Sequence, residues 1–289
     1  MVTLIVNPSA GRGKRKKQYE RALARMHERG MEPRILVTHA RGEAKELARQ
    51  ACEAGGDVIV VVGDGTLHEV LNGFGNFENC ALGLIPMGTG NDFAAAAKIP
   101  EDPVQAVDLI ADGTPQYTEY MQMPQGVRGI NVIGTGIDVE ILRRCRSNRL
   151  FRGKTGYLLS LIVSLIKFKN YELTARFNGK EEHYKSLIAC IGNGSRIGGG
   201  IRMCPAAVLG DGLLDFVAVD NVKKLRVPAA FVKLMKGRIL EEKFTRFERC
   251  EHLEVEPALP LTVQVDGELY DGLPFVVDVV KNKLRMYRG

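Results

Sequence analysis

The chain has 289 residues, 45% hydrophobic and 26% charged, with 32 glycines and no tryptophan. That length holds one large or two medium domains and buries about 75% of the extended surface, enough for a sizeable core. The formal charge of +6 suits an anionic partner; Cys52, Cys80, Cys145, Cys190, Cys204 and Cys250 lie far apart, with no CxxC or zinc spacing, which argues against a disulfide-built fold and for a reducing, cytoplasmic setting.

The opening stretch MVTLIVNPSAG turns polar too early for a signal peptide. The longest near-apolar run, Tyr157–Ile166, is well short of the roughly 20 residues that span a bilayer. A soluble protein is expected, at most peripherally associated with a membrane.

In chain order, Thr3–Val6 reads as a short buried strand ended by Asn7-Pro8, followed by a basic helix with Ala22, Leu23 and Met26 on its apolar side. Arg34–Thr38 is a second strand and Glu43–Ala54 a helix closed by Gly55-Gly56. Val58–Val62 and Ala81–Ile85 are strands, separated by a helix carrying Leu67, Val70, Leu71 and Phe74 at i, i+3, i+4 and i+7. Val104–Ala111 is a further helix. Continuous apolar strands alternating with helices predict a three-layer α/β domain with a mostly parallel sheet, covering residues 1–117. Ligands of such sheets sit beyond the C-terminal strand ends.

The texture then changes. Lys185–Ile191, Leu213–Val219, His252–Glu256, Leu261–Val265 and Phe275–Val280 read as strands between turns, several with period-two alternation. Residues 118–289 are therefore expected to form a mainly antiparallel β-sandwich, with helices over Gly156–Lys169 and Val227–Leu240 and the last strand able to return to the first domain.

Three glycine-rich turns follow the predicted parallel strands: Asn7-Pro8-Ser9-Ala10-Gly11, Gly63-Asp64-Gly65-Thr66, and Pro86-Met87-Gly88-Thr89-Gly90-Asn91-Asp92. Glycines let the backbone approach an anion, and unpaired N–H groups at helix starts point toward it. One such turn is ordinarily just a turn; three on one sheet edge predict an anion site. Thr66 and Asp92 stand where helix caps belong. An aspartate beside phosphates is adverse unless it faces a metal or a donor, so Asp64 either serves Mg²⁺ or orients neighbouring amides. A fourth turn, Val265-Asp266-Gly267-Glu268, has an ordinary explanation as a hairpin turn and a functional one as a carboxylate pair, one of them accepting a hydroxyl proton.

Two familiar patterns fail. Arg152-Gly153-Lys154-Thr155 lacks the P-loop's earlier glycine, since position 148 is Asn, and GxGxxG does not follow the first strand. His27, His39, His68, His183 and His252 suggest no metal cluster. The aromatics form no stacking platform, so no nucleic acid partner is expected.

NPSAG (7–11), VGDGTLHEVLNG (62–73), PMGTGNDFA (86–94), GTGIDVEI (134–141), DGLLD (211–215) and VDGE (265–268) together resemble the diacylglycerol kinase catalytic domain of bacterial lipid kinases, which are related to sphingosine kinases and share a wider fold with NAD kinase. The resemblance covers nearly the whole chain, in order, and is more specific for the kinase fold than for the lipid. It implies ATP and Mg²⁺ as cofactors and phosphoryl transfer to a lipid hydroxyl, diacylglycerol first among the acceptors. Asn7, Pro8, Ser9, Ala10, Gly11, Thr38, Val62, Gly63, Asp64, Gly65, Thr66, Leu67, His68 and Thr89 would hold ATP, with Gly88, Asn91 and Asp92 in the third turn. Asp266 matches the family's catalytic base, Glu268 the alternative assignment, and Asp138 an acidic residue near the acceptor lipid. Val208, Asp211 and Leu213 match a structural Mg²⁺ site, two of them through backbone carbonyls. A homodimer is a further implication. One position departs: Val62 stands where most members carry the first of two glycines. A β-branched residue prefers β geometry, so the change is tolerable if the strand stays extended through Val62 and Gly63 makes the turn; with any other backbone there, nucleotide binding would suffer.

From Arg143 to Lys169 there are eight Lys or Arg and no Asp or Glu, flanking the apolar YLLSLIVSLI. A buried helix is the ordinary explanation. The alternative is an apolar wall with a cationic rim of Arg143, Arg144, Arg146 and Arg149, turned toward a lipid substrate at an anionic membrane surface.

Overall fold

The computed structural model describes residues 2–8, 14–75, 77–147, 153–167, 170–220, 222–257 and 262–289. The chain divides into two compact units, Met1–Glu119 with Lys281–Gly289, and Tyr120–Val280.

In the first unit, β1 (Val2–Val6), β2 (Arg34–Val37), β3 (Asp57–Val62) and β4 (Ala81–Pro86) form a parallel sheet in the order β4-β3-β1-β2. Strands β3 and β4 are buried over nearly their whole length, which is why they read as unbroken apolar runs. The chain runs from β1 out to β2, then returns across β1 to β3, so its direction reverses between β1 and β3. Pairings of Val6 with Val61 and Val62 with Pro86 end three strands within a residue of one another, and their following turns leave the same edge.

Two helix pairs cover this sheet. α2 (Glu43–Ala54) packs on α3 (Asp64–Gly73), whose Leu67, Val70 and Leu71 are buried along with the following Phe74, as their spacing predicts. Gly73 permits the approach: a Cβ there would stand 2.0 Å from the Lys45 carbonyl oxygen. α1 (Lys14–Glu28) packs on α5 (Pro103–Asp112). Arg21, Arg25 and Arg29, one turn apart, pair with Asp102, Asp108 and Asp112, so part of the basic helix is committed to its neighbour. A short α4 (Asp92–Ala96) follows β4.

The second unit is antiparallel. It receives β5 (Gln116–Gln122) from Tyr120 onward and β15 (Phe275–Met286) up to Val280. Between them come β6 (Arg128–Gly129), β7 (Val132–Gly136), β8 (Tyr171–Phe177), β9 (Lys180–Gly192), β10 (Leu214–Asp220), β11 (Thr245–Cys250), β12 (His252–Pro257), β13 (Thr262–Val265) and β14 (Glu268–Asp271). The long β9 pairs with β8 through its first half and with β7 and β10 through its second. One core, including Met121, Ile133, Phe177, Phe216, Val263 and Phe275, fills the sandwich interior. A second, including Val132, Ile141, Leu161, Cys190 and Val217, packs strands against α6 (Ile137–Ser147) and α7 (Gly153–Lys167).

Some expectations need correction. α6 was not expected, because it begins directly at the end of β7 inside a stretch read as a motif. The helix expected over Val227–Leu240 is α8 (Val227–Met235), followed by a separate turn at Ile239–Glu241. Gly153 opens α7, in agreement with the failed P-loop pattern around it.

Candidate active site

In the first unit the exposed turn residues gather at the C-terminal strand ends. Asn7 Nδ2 donates to Thr66 Oγ1 at 2.9 Å, tying the β1 turn to the β3 turn across the point where strand order reverses. In a doubly wound sheet that crevice is where ligands bind. Pro8, Gly65 and Thr89 are exposed; Asn7, Gly63, Asp64, Thr66, Gly88 and Asn91 are half-buried.

Strand β3 stays extended through the fully buried Val62, and Gly63 is itself extended at φ −102°. Gly63 therefore supplies no positive φ, contrary to the turn expected of it. Its role is close approach: a Cβ on Gly63 would lie 2.8 Å from Gly88 Cα, and one on Gly88 would lie 2.6 Å from Gly63 Cα. The second and third turns thus touch backbone to backbone. Gly88 N–H donates to Asn91 Oδ1 at 2.7 Å, with Asn91 left-handed at φ 53°.

The two carboxylate oxygens of Asp64 accept N–H groups of Asp92 and Phe93, each at 3.3 Å, so it caps α4 from the neighbouring turn and orients amides. The expected caps are corrected accordingly. The N-cap of α3 is Gly63, with Thr66 already inside the helix, and the N-cap of α4 is Asn91, with Asp92 its buried first residue. Arg15, on α1, donates to Thr89 Oγ1 at 3.0 Å and brings a positive charge to the third turn. Thr38, Leu67 and His68 are buried: Thr38 N–H donates to Val6 O at 2.9 Å, and His68 lies against Asn72. These three shape the edge from beneath. Ser9, Ala10, Gly11, Arg12 and Arg149 lie outside the described residues, as does Leu261.

In the second unit Asp266 and Gly267 make the tight turn of the β13–β14 hairpin, with φ 50° and 88° and Val265 facing Glu268. The turn is more than a turn. Asp266 accepts N–H groups of Ile130 and Asn131 at 2.8 Å each and of Val132 at 3.2 Å, while its own N–H donates to Val132 O. Its carboxylate clamps the segment entering β7. Glu268 is ion-paired with Arg146 at 2.7 Å, and Arg146 also donates to Gly267 O. Arg143 reaches Thr262 and Asp271 in the same hairpin. Two of the four arginines expected to face a membrane are therefore committed to this hairpin.

Asp138, at the start of α6, is buried and lines an apolar pocket. Ile141, Leu161, Leu187, Ile201, Phe231 and Leu234 are among its walls, and among the described residues Asp138 is the one polar member of the lining. GTGID places the carboxyl there. A Cβ on Gly134 would lie 2.4 Å from Asp138 Oδ2, and Gly136, at φ 113°, passes so close to Leu187 O that a Cβ would fall 2.5 Å from it. Burial pushes the Asp138 carboxyl up to about 7, against the opposing pull of the Val139 amide and the Gln264 side chain. Its Oδ2 is buried without a well-formed hydrogen bond among the described residues. Gln264, which the sequence reading passed over, also accepts Gly267 N–H at 2.9 Å, so it stands between the pocket carboxyl and the hairpin turn. A glutamine buried in mid-strand was the available signal.

The residues matched to a structural Mg²⁺ are Val208, Asp211 and Leu213. Asp211 Oδ1 accepts Leu213 N–H at 3.0 Å, and Oδ2 pairs with Arg249 at 3.1 Å. Arg249 further holds the Ala206 carbonyl at 3.0 Å and the buried Asp215, whose carboxyl burial pushes up to about 6 despite that guanidinium. No cluster of three or more His, Cys, Asp or Glu suited to a metal occurs among the described residues. As arranged, this donor set does not fit a divalent cation: a guanidinium already answers the carboxylate's charge.

The parallel sheet thus carries amide-rich turns at its switch point, and the antiparallel unit an apolar pocket ending on a carboxyl. Comparison gives the family. Residues 1–123 match the family described as "Diacylglycerol kinase catalytic domain", and residues 131–288 match "YegS C-terminal NAD kinase beta sandwich-like domain". The chain is 32% identical over 273 residues to "Probable lipid kinase YegS-like" of Stenotrophomonas maltophilia (strain K279a), covering 89% of this chain and 87% of that one. It is 29% identical over 297 residues to "Diacylglycerol kinase" of Mycobacterium tuberculosis (strain ATCC 25618 / H37Rv), covering 99% and 94%. The fold matches a crystal structure of a diacylglycerol kinase from Bacillus anthracis str. Sterne, with TM-score 0.79 at 20% identity over 100% and 96% of the two chains. The chain belongs to the bacterial lipid kinase family that carries the diacylglycerol kinase catalytic domain.

Proposed function

We propose that the chain moves the γ-phosphoryl group of ATP to the hydroxyl of diacylglycerol, giving phosphatidic acid and ADP. The pocket around Asp138 carries this reading. Its walls are apolar, and its single carboxyl stays protonated up to about pH 7. Such a site receives acyl chains and an uncharged head. A cationic sphingoid base would have to be stripped of water beside a group that burial keeps neutral.

The nucleotide, arriving as its Mg²⁺ salt, is taken by the turns of the first unit. Amides at the start of α3 are offered to its phosphates, those at the start of α4 being held by Asp64, and Arg15 offsets charge at the third turn. The acceptor oxygen bonds to the γ-phosphorus as the bond to the ADP oxygen breaks, and Asp266 takes the hydroxyl proton. The three amides that hold Asp266 fix where its carboxylate points. Alignment of this kind supplies most of the catalysis in phosphoryl transfer.

The test is labelled ATP offered with diacylglycerol, monoacylglycerol, ceramide, sphingosine, phosphatidylglycerol, undecaprenol and NAD. Label is expected chiefly in phosphatidic acid. Label in sphingosine or NAD, with none in diacylglycerol, would overturn the assignment.

A further inference from the structure

α8 is apolar on two faces. Val227, Ala230, Phe231 and Leu234, at i, i+3, i+4 and i+7, line the Asp138 pocket. Leu225, Pro228, Ala229, Val232 and Met235 repeat that spacing on the other side, and all five are exposed. Leu225, in the turn just before the helix, is 95% exposed, and no residue of α8 is fully buried. A helix apolar all round belongs in a core or in lipid. A second helix of the pocket repeats the arrangement: α7 turns Leu161 and Leu165 to the pocket and leaves Leu159 and Ile162 exposed.

Charge identifies what covers this face. From residue 222 to 238 the sequence holds six Lys or Arg and no Asp or Glu. Lys233 and Arg238 are answered by Glu241 and Glu242. Lys223, Arg226 and Lys236 are exposed at the two ends of the helix, with no carboxylate within ion-pair distance among the described residues. Apolar side chains at the centre with cations at the ends is the pattern of a helix lying in a bilayer interface, where long basic side chains reach back to headgroups. A second copy of this face would set like charges against one another at the helix ends.

We infer that α8 with its preceding turn is the element that enters an anionic lipid surface, so that a lipid passes from the bilayer past α8 into the pocket its inner face lines. This rests on the lipid kinase reading for the lipid's fate, but not for the binding itself. It also moves the membrane contact away from Arg143 and Arg146, which are held by the β13–β14 hairpin.

The full chain is mixed with vesicles of phosphatidylcholine alone or with phosphatidylglycerol, and the bound fraction is read by sedimentation without ATP. The anionic vesicles are expected to bind it. Leu225→Glu with Val232→Glu, and separately Lys223→Glu with Arg226→Glu and Lys236→Glu, should each lower binding about tenfold or more, the second set mimicked by high salt. None of these side chains lines the pocket, so turnover of a short-chain diacylglycerol dissolved as monomers should stay near wild type, which also certifies folding. Equal binding by both sets of variants, absence of binding by the wild type, or a change in the protein's own oligomeric state on Leu225→Glu would each overturn the inference. Vesicle binding with no lipid phosphorylation would instead defeat the kinase reading and leave this one standing.

Discussion

Gly63 and Gly88 leave no room for a side chain on either: each Cα lies under 3 Å from where the other's Cβ would be. The obstacle is backbone, which cannot rotate aside. Gly63→Ala or Gly88→Ala is expected to push the two turns apart, at a cost of about 1–3 kcal/mol. ATP-dependent protection against thermal unfolding should fall more than the stability of the free protein. Intact ATP protection in both variants would show that the contact does not shape the nucleotide edge.

Asp266→Asn should lower turnover by about 100-fold or more and leave ATP binding largely intact. It should also lower the melting temperature, because an amide cannot accept three N–H groups as a carboxylate does. A variant with lost turnover and unchanged melting would mean that the clamp contributes nothing to stability. Full activity would remove Asp266 as the base.

Asp138 makes stability depend on pH in an unusual direction. Its carboxyl ordinarily titrates near 3.8 and is pushed up to about 7 here. Between those values the folded chain holds a proton that the unfolded chain has released, so stability falls as pH rises through the window and levels off above it. Asp138→Asn lacks this slope. From pH 5 to pH 8 the wild type should lose on the order of 2–3 kcal/mol relative to the variant, read by denaturant unfolding of both proteins. The Asp215 carboxyl drifts the same way in both, so the difference isolates Asp138. Parallel curves would sink the claim.

Arg249→Met strands Asp215 and frees Asp211, and should cost about 3–5 kcal/mol. Part of that loss should return as pH falls, because Asp215, already pushed up to about 6 beside the guanidinium, takes up its proton at still higher pH once the guanidinium is gone. Because the guanidinium already pairs with Asp211, the one carboxylate of the matched metal set, a chelator should leave the melting of nucleotide-free wild type unchanged, while Mg²⁺ should stabilise Arg249→Met more than wild type. Calorimetry with and without chelator decides it; a drop in wild-type melting on metal removal would restore Val208, Asp211 and Leu213 as ligands.

The parallel strands were legible because burial on both faces leaves a continuous apolar run such as VIVVV, and the three turns because glycine is hard to replace there. Other features depend on partners far along the chain. That Gly63 serves a contact with Gly88 rather than a turn, and that Asp64 caps the helix after a different strand, follow from β3 lying beside β4. The pocket was not legible, since its lining is spread over α6, α7, α8, β9 and β10, none of which gives it more than four residues. Nor did the run of basic residues after Arg143 announce that two of them would pair with carboxylates more than a hundred positions away.

The path of β15 bears on biosynthesis. Its Arg285 and Met286 lie alongside Ala81 and Leu82, and Lys281–Gly289 belong to the first unit. On the ribosome, residues 1–119 therefore emerge with one flank of β4 bare and wait for everything up to Val280 to be translated before that flank is closed. A half-made strand edge of this kind invites pairing with other nascent chains. Chaperone dependence during synthesis should consequently track the delay before those late residues appear, and supplying them early, by circular permutation that joins them ahead of β1, should relieve it.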